Sequence, residues 1–264
     1  MEKDWIIMVD FLFYILAGAT VGLAIGFTGI GGGSLMTPIL IFFGFPYHVA
    51  IGTDLLYASI TKAGGMLSHS RQKTVEWRQV GLMALGSLPA SIITALLLNT
   101  IFTDSSQYES ILTFSLGLML MLTAILILMR SKLQNEELVR LAKPKQHADI
   151  ALFMAGVFLG IFVTLSSVGA GAFGAAVLMI LYPYLKAIKI VGTDIAHAVP
   201  LTLIAGLGHL WLGNVNFLLL LGLLIGSIPA ISLATKLANR IPSNILQNTI
   251  AVLLLCLGIN FVVS

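Results

Sequence analysis

Apolar runs dominate the chain and set its first reading. They fall at 11–27, 34–45, 50–69, 79–99 and 109–129, and again at 150–166, 173–185, 190–211, 215–236 and 245–263. Most reach the ~20 residues that a helix needs to cross the hydrocarbon of a bilayer. The runs 34–45 and 173–185 do not, since 12 or 13 helical residues rise only ~18–20 Å. These two read as half-helices, or as re-entrant pieces paired with the run before each.

The two sets of five copy one pattern. At a fixed offset of 140 residues, Gly29 and Gly31 match Gly169 and Gly171, and Gly52-Thr53-Asp54 matches Gly192-Thr193-Asp194. In the same register His69 matches His209, Val75 matches Val215, and Gly86-Ser87-Leu88-Pro89-Ala90 matches Gly226-Ser227-Ile228-Pro229-Ala230. No gap is needed from 29 to 99. Isolated matches of Gly, Ala or Leu mean little in an apolar chain, but two blocks and a histidine in one register mark an internal repeat. An odd number of segments per repeat inverts the second repeat relative to the first.

Charge gives the orientation. With loops assigned alternately to two sides, Arg71, Lys73, Arg78, Arg130, Lys132, Arg140, Lys143, Lys145, Lys186, Lys189, Lys236 and Arg240 share one side. Lys3 alone takes the other, and Lys62 lies within a segment. The positive-inside rule makes the crowded side cytoplasmic and both termini extracytoplasmic. The expected fold is an all-α polytopic membrane protein of two inverted-topology repeats, five helical segments each, with a short broken or re-entrant second helix in each repeat. Residues 1–130 form the first repeat, 131–149 a charged cytoplasmic linker and 150–264 the second repeat of one membrane domain.

Composition removes the soluble alternatives. The chain is 58% hydrophobic and only 9% charged over 264 residues, with a mean hydropathy of +1.02, against about 25% charged residues in a soluble domain. Its net charge of +3 resides in short loops, so it points to topology and not to nucleic acid. Cys256, the one cysteine, lies in an apolar run, which argues against a disulfide or a thiolate metal cluster; no metal or cofactor is expected. Met1-Glu2-Lys3-Asp4 lacks the positive n-region of a cleaved signal peptide, so the first apolar run reads as a retained helix.

The stretch Gly29-Ile30-Gly31-Gly32-Gly33-Ser34 interrupts this apolar background. Each glycine disfavours a helix interior by roughly 1 kcal/mol relative to alanine. A break inside a bilayer leaves backbone N–H groups that need partners in protein, water or ligand. If the short helix begins near Ser34, those groups and the positive end of its dipole face an anion; the alternative is close helix packing through small residues. A dinucleotide-binding role is excluded, because no strand or βαβ unit surrounds the glycines. The stretch Gly26-Phe27-Thr28-Gly29-Ile30-Gly31-Gly32-Gly33-Ser34, with Pro38 and Gly52-Thr53-Asp54 after it, resembles the TauE/SafE sulfite exporter family, and Gly169-Ala170-Gly171 with Gly192-Thr193-Asp194 looks like the same motif repeated. The resemblance covers residues 10–263. It implies a bacterial-type inner-membrane transporter of sulfite, sulfonates or related small sulfur-containing anions. The second repeat departs from the pattern at Ala172, Phe173 and Gly174, which replace Gly32, Gly33 and Ser34, so the half-sites are expected to be unequal.

Thr28, Gly29, Gly31, Gly32, Gly33 and Ser34 are accordingly candidate substrate-binding residues, with Ser166, Ser167, Gly169 and Gly171 as their partners. The two serines either donate to an anion or bond their own backbone. Lys62 sits eight residues past Asp54, ~12 Å along a helix and near the midplane. A lysine at that depth costs ~3 kcal/mol on insertion scales and is paired or functional; an anion counter-charge is the sharper role. Its repeat counterpart is Thr202, so that role is one-sided. Asp54 and Asp194 read as helix N-caps or as proton-coupling carboxylates. His197 shares a helical face with Asp194 and is either a proton relay or a packing histidine. His69, His209, Trp77 and Trp211 read as interfacial, and Pro89 and Pro229 as matched kinks.

The leading function is a secondary transporter working by alternating access, with the anion held at the midplane between the two breaks. Protons and a second copy of the chain are further candidate partners besides the lipid bilayer. An anion channel, a non-transporting membrane subunit and, last, an intramembrane enzyme are the alternatives. Asp54 and Asp194 start from opposite faces, which argues against an aspartate dyad, and no P-loop indicates ATP hydrolysis. The topology is checked by impermeant maleimide in a Cys256→Ser background. Leu212→Cys is expected to label from the outside, and Gln72→Cys only after the membrane is opened.

Overall fold

Each apolar run folds as a helix. The computed structural model describes residues 2–28, 33–102, 105–133, 145–237 and 243–263. The first half contains α1 (Glu2–Thr28), α2 (Gly33–Phe42), α3 (Tyr47–Arg71), α4 (Trp77–Ile101) and α5 (Glu109–Leu133). The second contains α6 (Lys145–Ser166), α7 (Ala172–Leu181), α8 (Ala187–Trp211), α9 (Phe217–Leu237) and α10 (Ser243–Val263). One 3₁₀ turn, Ser105–Tyr108, precedes α5, and the described residues contain no strand. Among the described residues, five stretches are long and apolar enough to cross a membrane: Trp77–Ile101, Ser106–Met129, His147–Ser166, Ala187–Trp211 and Phe217–Ala234. Helix α3 is equally long but carries Asp54, Lys62 and Arg71. The short helices α2 and α7 have 10 residues each, ~15 Å of rise, half the hydrocarbon thickness.

The same local structure recurs at the 140-residue offset. Helix α3 closes on bonds from the Gln72, Lys73 and Thr74 amides to the carbonyls of Ser68, Ser70 and His69. Helix α8 closes identically, with Leu212, Gly213 and Asn214 donating to Gly208, Leu210 and His209. The residue after each cap turns left-handed, with φ 55° at Lys73 and 77° at Gly213. Glycine adopts that φ without strain and lysine does not, so the turn is set by the closing hydrogen bonds and not by residue type.

Glycine seams assemble the bundle, and they join helices from different halves. A Cβ on Gly226 of α9 would lie 1.9 Å from the Ile15 carbonyl oxygen of α1, and one on Gly86 of α4 would lie 2.4 Å from that of Phe153 in α6. From the opposite sides, Gly22 faces Ser227 and Gly160 faces Ser87. Such contacts bring two backbones together where lipid supplies no hydrophobic drive. In both seams the paired residue numbers rise together, so α1 runs parallel to α9, and α4 to α6.

The central pair differs. Gly65 of α3 lies against Ile195 of α8, while Gly206 lies against Leu56, so α3 and α8 run antiparallel. They cross where the Ser59 hydroxyl donates to the Val199 carbonyl at 3.4 Å, and these two residues are repeat counterparts. Helices α5 and α10 meet the same way, through Gly117 and Gly258. This is the arrangement expected of inverted repeats. Leu85, Ile93, Leu97, Leu221, Ile225 and Leu233 point outward on α4 and α9, apolar side chains that suit lipid.

One end of the bundle is tied by charge. Lys189 pairs with Glu76, and the Arg78 guanidinium grips Asp149, which also accepts the Tyr182 hydroxyl at 2.7 Å. Burial and then that carboxylate push the Tyr182 hydroxyl pKa up, so it stays a donor. The seams predict a paired result. Gly226→Ala forces two backbones apart and lowers stability in detergent by about 1–3 kcal/mol, whereas Gly81→Ala, which meets nothing within 4 Å, leaves the unfolding midpoint unchanged or slightly raised.

Candidate functional site

Polar side chains gather where α3 and α8 cross and the two short helices begin. Helix α2 starts at Gly33 and buries Ser34 and Thr37. The matching start of α7 follows a turn in which Ser167, Gly169 and Gly171 have φ of 59°, 109° and 148°. Glycine accepts such angles readily and serine does not, so strain is concentrated at Ser167.

Sequence-predicted residues meet here unequally. The Lys62 ammonium crosses from α3 to donate to the Ala170 carbonyl at 2.6 Å, inside the second break. Asp54 and Asp194 both lie within electrostatic range of that ammonium. Thr37 of α2 donates to Asp54 Oδ2 at 2.5 Å. Across the crossing, Asp194 Oδ1 occupies the space that a Cβ on Gly174 would take, 2.1 Å from that position. Each aspartate therefore rests on the first turns of the short helix of its own repeat.

Asp54 and Asp194 are not helix caps. Pro46 caps α3 and Lys186 caps α8, which places both aspartates about two turns inside. The reason is that Gly52 packs against the Asn214 carbonyl and Gly192 against that of Thr74, so the Gly-Thr-Asp motifs are mid-helix contact points. Thr53 and Thr193 serve the same packing, accepting the Asn216 amide at 3.1 Å and the Glu76 amide at 3.0 Å.

The serines divide. Ser166 is turned to its own backbone, donating to Phe162 at 2.6 Å and accepting the Val168 amide at 3.2 Å. The Ser167 hydroxyl is buried, faces the Asp54 carboxyl and closes no hydrogen bond of normal geometry. His197 shares a 2.8 Å bond with Ser87 through Nε2, and its Nδ1 is without a partner. Gly29, Gly31 and Gly32 lie outside the described residues. Thr28 closes α1 and Gly33 opens α2.

His209 is not interfacial: it is fully buried, with Nε2 on the Thr164 carbonyl at 2.8 Å and Nδ1 3.2 Å from Asn214. A buried asparagine beyond the helix end supplies the partner that water would supply at an interface. Trp77 and Trp211 are exposed, as anchors require.

Thr37, Ser87, Tyr57 and Ser227 belong to this cluster and were not singled out from the sequence. Tyr57 is the repeat counterpart of His197 and faces Ser227, the counterpart of Ser87. The repeated Gly-Ser-x-Pro-Ala block carried that signal, since it conserves between the halves a serine that packing alone does not require.

Residues 14–261 match the family described as Sulfite exporter TauE/SafE. The chain is 36% identical to the probable membrane transporter protein YjnA of Bacillus subtilis, over 94% of this chain and 98% of that protein. It is 29% identical to the probable membrane transporter protein YdhB of the same organism, over 90% and 95%. A probable membrane transporter protein of Methanocaldococcus jannaschii matches at 29% over 78% and 74%. No solved structure matches.

Removing the partner of His197 tests how tightly this cluster is bound. Ser87→Ala leaves both imidazole nitrogens unpaired and is expected to destabilise the protein by about 1–3 kcal/mol, read as a lower midpoint of thermal unfolding in detergent. An unchanged midpoint would show that the histidine relaxes to another partner.

Proposed function

The chain belongs to the sulfite exporter TauE/SafE family and is a membrane transporter, and we propose that it moves small sulfur-containing anions, sulfite or a sulfonate, by alternating access. The observation that carries this reading is the half-buried ammonium of Lys62 at the second helix break, 2.6 Å from the Ala170 carbonyl. A carbonyl takes one of its three N–H groups, and the others are available to an anion. The N-terminal turn of α7 begins two residues beyond Ala170, and α2 meets α3 where Thr37 bonds Asp54; their dipoles add positive potential. An oxyanion with oxygens on several sides suits converging donors of this kind. Gly33, which opens α2, offers its backbone N–H to the same anion, and the Ser167 hydroxyl a further donor.

The glycine seams bind α1 to α9 and α4 to α6, which supports alternating access by bodies that each take one helix from each half, in place of one whole repeat rocking against the other. The crossing of α3 and α8 lies between the two bodies, and the anion travels past it as they tilt. The membrane is the bacterial-type inner membrane, with both termini outside.

Purified protein in proteoliposomes is expected to carry radiolabelled sulfite or methanesulfonate, with saturation and with stimulation by unlabelled anion on the far side. Lys62→Ala removes a charge-assisted contact worth ~1.5–3 kcal/mol, a loss of roughly ten- to 100-fold in flux at low substrate. Undiminished flux in that variant would sink the counter-charge role, and flux without saturation or counterflow would identify a channel.

A further inference from the structure

The buried charges of this site do not balance. Asp54 and Asp194 are 0% and 4% exposed, and each leaves Oδ1 without a hydrogen-bond partner among the described residues. Lys62 lies within electrostatic range of both, though its ammonium donates to the Ala170 carbonyl and closes an ion pair with neither. The other titratable groups at the cluster are the Tyr57 phenol and the His197 imidazole, which shares its Nε2 bond with Ser87. From the elements packed around them come Thr37 on α2, Ser87 on α4, Ser167 and the Ala170 carbonyl in the α6–α7 turn, and Ser227 on α9, none of which carries charge. Glu76, Arg78, Asp149 and Lys189 are committed to one another at the end of the bundle.

Two carboxylates and one ammonium leave one negative charge unmatched where water is excluded. Buried ions take up protons sooner than remain unpaired. The charge count thus calls for one proton on the pair of carboxyls in the empty site, with Lys62 balancing the charge of the other. The antiparallel crossing at Ser59 and Val199 puts Asp54 and Asp194 on opposite sides of the midpoint, five residues before it on each helix. Either one can face the open mouth while Lys62 reaches the other.

We propose that Asp54 and Asp194 are interchangeable counter-ions of Lys62 and together form a proton site that loads one proton with each monovalent anion. The inference rests on the anion reading above. When a singly charged anion takes the free N–H groups of Lys62, the displaced carboxylate loses its counter-ion and binds a proton from water at the open mouth. Lys62 keeps its protons, and an O–H bond on the carboxyl is the one bond formed. On release the anion and that proton leave together. The loaded site carries the same net charge as the empty one, so the transit moves no charge across the membrane.

The test is flux of radiolabelled methanesulfonate, whose single charge is independent of pH, with sulfite as a parallel arm. For the wild type, a pH difference of one unit is expected to change the accumulation ratio about tenfold, and an imposed potential to leave it unchanged. Asp54→Asn and Asp194→Asn each lower the rate of flux but keep the tenfold response per pH unit, because one carboxyl still exchanges between lysine and proton. The double variant loses the response to pH, and about 100 mV shifts its accumulation ratio by about 50-fold. Should the double variant not fold, infrared spectra of the others decide. The stretching band of a buried protonated carboxyl is expected in the anion-free wild type at neutral pH and is lost in each single variant. Potential-driven flux in the wild type, loss of coupling in either single variant, or absence of that band overturns the proposal while leaving the transporter reading intact. No flux of any anion overturns the transporter reading itself.

Discussion

The hydrogen bond from the Lys62 ammonium to the Ala170 carbonyl joins the two features that a bilayer tolerates least, a buried charge and an interrupted helix. Each answers the need of the other. The break between α6 and α7 exposes carbonyls that the helix would have used, and the lysine supplies a donor where no water is at hand. The carbonyl in turn holds the ammonium within electrostatic range of two carboxylates. Much else in the bundle follows from keeping that point enclosed: the short helices that end there, the antiparallel crossing of α3 and α8, and the seams that hold the outer helices close.

The fold is symmetric and its chemistry is not. Helix ends, threonine contacts and glycine contacts repeat at the same positions in both halves. At the centre the counterparts differ, with Lys62 opposite Thr202, Tyr57 opposite His197, Ser34 opposite Gly174 and Thr37 opposite Val177. Both helix breaks provide dipoles, but only the first repeat supplies the cation. The repeats thus share a scaffold, while the polar side chains at its centre differ between them.

Much of this was legible beforehand, for identifiable reasons. The ten α-helices of the described residues follow from apolar runs, because a chain this hydrophobic has few ways to satisfy its backbone. Their pairing into repeats follows from the register shared by Gly52-Thr53-Asp54 and Gly192-Thr193-Asp194. The role of those aspartates did not follow. A Gly-Thr-Asp sequence at the start of an apolar run resembles a cap, and only the packing of Gly52 on Asn214 and of Gly192 on Thr74 shows that each helix begins earlier. His209 was misplaced for a similar reason: its partners Thr164 and Asn214 come from two other segments, and no local pattern announces them. Lys62 stood out because its depth could be counted along the helix, whereas its contact at Ala170 is 108 residues away and invisible to spacing.

The seam between α1 and α9 has a consequence for how the protein is made. Gly18 and Gly22 of α1 are shaped to receive Leu223 and Ser227, about 200 residues downstream. At ribosomal rates of 5–20 residues per second, α1 waits on the order of 10–40 s for that partner to be synthesised. In the interval its glycine face meets lipid, or whatever insertion machinery shields it. Helix α4 has a shorter wait, because α6 follows soon after the turn into the second half. The bundle is therefore closed from its middle outward, and α1 is among the last helices to find its place.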